Sequence, residues 1–93
     1  METKSFKEQV RENKRLARNF MLRESALENL ARLYESNGKI WSAIATYQIL
    51  ALDITSEPQT QASAYYELAR LYSKRGCKIR ARFCSWMRNK YYD

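Results

Sequence analysis

Apolar residues recur at spacings of three and four residues along most of the chain, which is the period of an amphipathic α-helix. The pattern predicts four helices, over about 25–36, 39–53, 57–74 and 78–91. In the last helix we expect one apolar side that packs inward, formed by Ile79, Phe83, Trp86, Met87 and Tyr91.

Glycine and capping residues mark where these helices begin and end. Asn37-Gly38 and Arg75-Gly76 stop two of them, because glycine readily adopts the left-handed conformation that ends helices. Pro58 suits the first turn of the third helix, directly after the break at Thr55-Ser56-Glu57. Two capping boxes are predicted at helix starts: Ser25 with Glu28, and Ser56 with Gln59.

A thinner apolar stripe, from Phe6 to Met21, predicts a further helical segment over 4–22. No helix-breaking residue separates it from the helix after Ser25. The segment is therefore either a separate helix or the start of one long helix through Ser36, and we favour a break near Arg23.

A short internal repeat gives the most informative signal in the sequence. Residues 29–34 (NLARLY) return as 67–72 (ELARLY), and each block is followed four residues later by a glycine, Gly38 and then Gly76. An alanine follows five residues after each glycine, at Ala43 and Ala81. The period of the repeat is the interval from Gly38 to Gly76. A period of this length, with one glycine per unit, is typical of stacked helical hairpins. Hairpins stack because one alone cannot bury its apolar face.

These residues resemble the tetratricopeptide repeat family, whose unit is two antiparallel helices with a leucine and small residue, a turn glycine, and an early alanine in the second helix. The chain departs from the family at Leu27 and Pro58. Leu27 occupies the family's tryptophan-like position, and the proline that ends the family's unit is displaced to Pro58. The resemblance covers most of the chain and rests on two sets of positions: Leu30, Ala31, Gly38 and Ala43 in the first unit, and Leu68, Ala69, Gly76 and Ala81 in the second.

We therefore expect an all-α fold of about five helices, in which antiparallel hairpins stack as a short tetratricopeptide-like solenoid. Scarce glycine (2) and proline (1) argue against an all-β fold, and an aromatic content of 13% argues against a disordered chain. The expected organisation is a basic N-terminal helix over 1–23, a first repeat over 24–57, and a second repeat over 58–93 that ends in a basic helix.

Charge is unevenly distributed. The net charge of +7 divides into +4 over 1–23, −3 over 24–73 and +6 over 74–93. Basic ends favour an anionic partner, which leaves nucleic acid, an anionic membrane surface and an acidic protein as alternatives. The residues we expect to form this basic surface are Arg11, Lys14, Arg15, Arg18, Lys78, Arg80, Arg82, Arg88 and Lys90.

The resemblance also implies a concave, partner-binding face lined by the first helix of each unit. The positions that match this face are Glu28, Arg32, Glu35, Tyr66, Arg70 and Ser73.

Residue types that carry catalysis are scarce. The chain has no histidine, and its two glycines cannot form a glycine-rich phosphate loop. Cys77 and Cys84, seven residues apart on a predicted helix, lie too far apart for a disulfide and do not form a zinc site alone. We expect no enzyme activity, no cofactor and no metal.

The sequence thus predicts a non-catalytic protein–protein interaction module, acting as an adaptor, an assembly factor or a small subunit of a larger complex. The alternative is an accessory protein that binds nucleic acid, or another anionic surface, through its basic terminal helices. Self-association is a further alternative, because Trp41 and Trp86 are large apolar residues for so small a chain. We expect an intracellular protein, cytoplasmic or in an organellar matrix or stroma, without a transmembrane segment.

Overall fold

Five α-helices follow one another along the described chain, and each packs against the next. The computed structural model describes residues 4–53 and 55–92, with only the backbone of Tyr92. These residues contain no β-strand, and the predicted all-α hairpin architecture is confirmed. The helices are α1 (Phe6–Leu16), α2 (Arg23–Ser36), α3 (Ile40–Leu52), α4 (Pro58–Lys74) and α5 (Lys78–Tyr92).

The hydrophobic core lies between α2, α3, α4 and the inner side of α5. Leu50, Leu68 and Leu71 are the largest side chains that are almost completely buried. Ala31 of α2 and Ala43 of α3 are fully buried, and small side chains of this kind allow two helix backbones to approach closely. Helix α1 adds Val10 to the edge of this core and packs mainly on α2.

The two glycine turns have the same hydrogen bonds at equivalent positions of the repeat. Lys39 and Cys77 donate their N–H groups to the carbonyl oxygens of Tyr34 and Tyr72, at 2.9 and 2.8 Å. Gly38 and Gly76 donate to the carbonyls of Glu35 and Ser73, both at 3.0 Å, with φ of 76° and 81°. This pairing is the Schellman motif, so the sequence repeat is also a repeat of backbone conformation.

Helices α1 and α2 are separate, as favoured from the sequence, and the break spans 17–22. The predicted capping boxes are wrong: α2 begins at Arg23 with Leu22 as its N-cap, and α4 follows Glu57, neither with a side-chain cap. Instead, the carboxylate of Glu24 accepts hydrogen bonds from the Glu57 N–H (3.1 Å) and the Thr60 hydroxyl (2.9 Å). A carboxylate at a helix N-terminus is favourable, so α2 caps α4 across the fold.

The end of α3 is capped in the same indirect way. The side-chain amide of the buried Gln61 donates to the carbonyls of Ala51 (3.2 Å) and Asp53 (3.1 Å), where the helix stops without a glycine. Arg23 also donates to the Asp53 carboxylate at 3.1 Å. Gln61 therefore joins the second repeat unit to the end of the first, and Arg23 ties the start of α2 to the same point.

The expected inward side of α5 is wrong in part. Ile79, Phe83 and Trp86 are exposed, and the buried residues of this helix are Ala81 and Cys84. Only Met87 and Tyr91 of the expected set pack partly against the core. Small side chains bring α5 close to α4, and this leaves the larger apolar residues outside.

We expect Gly38→Ala to lower the free energy of unfolding by about 1 kcal/mol, because a Cβ is disfavoured at positive φ. No atom lies within 4 Å of the position that a Cβ would occupy at either glycine, so the loss comes from the backbone alone. Gly38→Asn should lose less, because asparagine tolerates this conformation. Urea unfolding measures both values, and a neutral or stabilising Gly38→Ala would contradict the assignment.

Candidate partner-binding surfaces

A groove of about 360 Å³, which we call the α2–α4 groove, lies between α2 and α4. Glu28 and Arg32 line it from α2, and Tyr66 lines it from α4, so three of the predicted partner-binding residues come together. Tyr47 and Leu50 of α3, both buried, form its floor. Burial raises the pKa of the Tyr47 hydroxyl above its usual value.

Tyr66 is the exposed aromatic side chain of this groove. The Arg88 guanidinium lies 5.2 Å from the centre of its ring, a distance typical of a cation–π contact. Thr60, Ser63 and Glu67 add polar groups beside it. The groove therefore offers charges of both signs, hydroxyl groups and one exposed aromatic ring, that of Tyr66.

Arg70 ties α2 to α4 beside this groove. Its guanidinium donates two hydrogen bonds of 2.7 Å to Glu35 on α2, and two more, of 2.6 and 3.1 Å, to Glu67 on its own helix. The hydrogen bonds from Arg70 hold the pKa of the Glu35 carboxyl below its usual value. We call Arg70, Glu35 and Glu67 together the Arg70 clamp. Most of the donors of Arg70 are engaged by carboxylates of the chain itself, and contact with a partner stays a prediction.

The sixth predicted residue lies elsewhere. Ser73 borders a depression of about 310 Å³ between α4 and α5, together with Lys78, Arg82 and Ser85. The α2–α4 groove does not include Ser73 among its lining residues.

An apolar groove of about 350 Å³ lies between α3 and α5, with α4 as its floor, and is called the α3–α5 groove. Leu52 and Phe83 line its two sides, and Leu68 and Tyr72 form part of the floor. The sequence pattern indicated an apolar helix face on α5 but not that this face is exposed.

A groove of about 630 Å³ between α1 and α2 is strongly basic, and we call it the α1 basic groove. Its lining contains four of the predicted basic residues and no acidic side chain. Sequence reasoning missed two further cations in this groove, although Lys7 lies one helical turn before Arg11. The cations are Lys7, Arg11, Lys14, Arg15, Arg18 and Lys39.

The predicted C-terminal basic residues do not form one patch. Arg82 and Lys78 border the depression beside Ser73, Arg80 lines the α3–α5 groove, and Arg88 lines the α2–α4 groove. The Lys90 ammonium lies 5.5 Å from the centre of the Trp86 ring. A single helix distributes these charges around its circumference, so proximity in sequence does not place them on one face.

Both cysteines are free thiols in the described structure. Cys84 is buried, and burial raises the pKa of its thiol, which makes the reactive thiolate rarer. Within 4–53 and 55–92, no three cysteine, aspartate or glutamate side chains are grouped closely enough to hold a metal ion. None of the described helices has both the length and the hydropathy needed to cross a bilayer.

Comparison with protein-family models, with curated proteins and with solved structures found no match to this chain. Its surfaces are therefore interpreted from their own geometry and chemistry.

We expect Glu35→Gln to lower the free energy of unfolding by about 1 kcal/mol at neutral pH, a value kept small because the Arg70 side chain is 38% exposed. The pKa of Glu35 is lowered in the folded state, so its contribution is present above the usual pKa of the carboxyl, 4.5, and is lost as the pH falls through the lowered pKa. Urea unfolding at about pH 7 and about pH 2 should therefore show the two proteins converging in acid.

Glu28→Gln is the matched control, because Glu28 lies 4.0 Å from Arg32, which is 70% exposed and occupies the position equivalent to Arg70. This change should lower the free energy of unfolding by less than about 0.5 kcal/mol. Equal losses in the two variants, or a loss in Glu35→Gln that persists in acid, would contradict the Arg70 clamp.

Proposed function

We propose that this chain is a non-catalytic protein-interaction module that binds its main partner through the α3–α5 groove. The observation that carries the proposal is the exposure of large apolar side chains on the two helices that border the groove. The four most exposed of them are Leu52 (70% exposed), Ile79 (85%), Phe83 (56%) and Trp86 (59%). In a chain of 93 residues, apolar exposure of this size is typical of a surface that a partner covers.

The arrangement favours a helical partner segment. Ile79, Phe83 and Trp86 lie at spacings of four and three on α5, so they form one continuous row, and the rings of Phe83 and Trp86 are 6.3 Å apart. Aromatic residues of this kind contribute most of the binding free energy in many interfaces. An amphipathic helix could place its apolar side chains between this row and Leu52.

Cations beside the groove favour acidic residues in that partner. Arg80 lines the groove, with its guanidinium 5.8 Å from the centre of the Tyr72 ring, and Lys90 lies over Trp86. Complementary charges at an interface rim raise the rate of association and set its orientation. We infer that the partner segment carries apolar residues flanked by aspartate or glutamate.

The α2–α4 groove supplies a second contact surface in this proposal. Its Tyr66–Arg88 pair combines two residue types that are enriched at interface hot spots. Two separate surfaces suit an intracellular adaptor, an assembly factor or a small subunit of a larger complex. The stacked hairpins, whose turn hydrogen bonds recur at Gly38 and Gly76, support the resemblance to the tetratricopeptide repeat family, whose members bind proteins.

Nucleic-acid binding through both basic ends is less favoured. Continuous tracks of cations bind a phosphate backbone best, whereas the cations of α5 lie on several different surfaces.

The proposal can be tested with peptides selected from a random display library on the immobilised chain. We expect the selected peptides to bind Phe83→Ser/Trp86→Ser at least about thirtyfold more weakly, because two aromatic contacts are lost. Isothermal titration calorimetry measures the affinities. Both side chains are exposed, so circular dichroism should show unchanged helicity.

Phe20→Ser/Met21→Ser is the matched control, because it removes two exposed apolar side chains from a different part of the chain. It should bind the peptides as the unchanged chain does. Failure to select any peptide, or equal binding to all three proteins, would refute the interface. If the partner is a second copy, sedimentation should show a dimer that Phe83→Ser/Trp86→Ser alone dissociates.

A further inference from the structure

One row of cations follows the length of α1. Lys7, Arg11 and Lys14 are spaced by four and three residues and so lie on one face, over about 10 Å, and Arg18 extends the row into the following turn. All four side chains are exposed, and none forms a salt bridge with an acidic side chain in the described residues. Glu12 lies on another face and is paired with Lys4.

The row ends at an exposed apolar turn. Leu22 donates its N–H to the carbonyl of Asn19 at 3.0 Å, which places Phe20 and Met21 at the two central positions of a β-turn. The Asn19 side chain fixes the turn further by accepting from the Met21 N–H at 2.9 Å. Phe20 is 77% exposed and Met21 is 84% exposed, so both side chains extend away from the core.

We propose that the α1 cation row and the Phe20–Met21 turn together dock this chain on an anionic lipid bilayer. Apolar side chains at a turn can enter the boundary between headgroups and acyl chains, while adjacent lysines and arginines bind anionic headgroups. The apolar face of α1 is not free for this purpose, because Phe6 and Val10 pack on α2 and the core. The contact therefore uses the turn for insertion and the helix for charge.

A bilayer fits these residues better than a nucleic acid does. Phosphates would pair with the cations but would leave Phe20 and Met21 in water. The groove has two aromatic rings, Phe6 and Tyr34, and they already contact each other edge-on with ring centres 6.0 Å apart. The Lys39 ammonium also lies 5.9 Å from the centre of the Phe6 ring, which makes Phe6 less available for stacking with a base. This inference is independent of the proposed protein-binding groove, which lies on α3 and α5.

Vesicle flotation tests the proposal directly. The full chain should bind phosphatidylcholine vesicles with about 30% phosphatidylserine at about 0.15 M salt, and should bind pure phosphatidylcholine at least about tenfold more weakly. Each cation near an anionic surface contributes roughly a factor of five, so Arg11→Ala/Lys14→Ala/Arg18→Ala should lower the partition coefficient on the order of a hundredfold. Phe20→Ser/Met21→Ser should lower it about tenfold at constant charge.

The matched control removes the same charge from the other end of the chain. Lys74, Lys78 and Arg82 are exposed and form no salt bridge with described acidic residues, so their replacement by alanine should change partitioning by less than about threefold. Circular dichroism checks the helicity of both triple variants. If the variant at Arg11, Lys14 and Arg18 loses helicity, glutamine replaces alanine at these three positions.

Insertion of the turn has its own measurement. In a chain with Trp41→Phe and Trp86→Phe, Met21→Trp places the single tryptophan at the turn. Its fluorescence should shift to shorter wavelength with anionic vesicles and be quenched by brominated lipid.

Three results would overturn the proposal. They are binding that does not depend on phosphatidylserine, equal losses in the two triple variants, and full retention of binding in Phe20→Ser/Met21→Ser. Tighter binding of a labelled oligonucleotide of about 20 nucleotides, lost with the α1 cations but not with the turn, would assign the row to nucleic acid instead.

Discussion

Helix α4 sets the arrangement of the helices around it. This helix packs against α3 on one side and α5 on the other, and Leu68 is almost completely buried between them. The ring of Tyr65 stacks on Tyr91 of α5, with centres 5.8 Å apart, and the Tyr72 hydroxyl accepts a 2.6 Å hydrogen bond from Gln48 of α3. Because contacts on both sides fix its rotation, α4 has one polar side left, and that side faces α2.

The candidate surfaces follow from this placement. Glu24 and Arg70 link α2 to α4, and Gln61 links α4 to the end of α3, so the walls of the α2–α4 groove are held by hydrogen bonds between distant residues. On the opposite side, α3 and α5 are separated by the width of α4, and their apolar side chains face a gap instead of each other. A rigid groove with polar walls and an apolar groove with exposed aromatic residues therefore result from one packing arrangement.

The two repeat units differ most in their second helices, and this difference determines which surfaces are open. Ile44 and Tyr47 of α3 are buried against neighbouring helices, whereas the equivalent positions on α5 are the exposed Arg82 and Ser85. Helix α5 thus presents a polar face where α3 presents an apolar one. Its apolar residues lie on another side, which is the side available to a partner. At the opposite end of the sequence, α1 presents cations and the turn after it presents apolar side chains.

The five helices, the spacing of the repeat and the two glycine turns can be predicted from the sequence, because helical periodicity and left-handed glycine are local properties of the backbone. The repeat also places Arg32 and Arg70 at equivalent positions. The packing of α2 beside α4 determines that Arg70 is bound by Glu35 and Glu67, while Arg32 stays largely exposed. The inward side of α5 was likewise decided by packing, because apolar residues lie on more than one of its faces. Ion pairs between helices, caps supplied by another helix and the choice of which helix face is buried all depend on neighbours that are distant in sequence. A local pattern of residues therefore does not predict them.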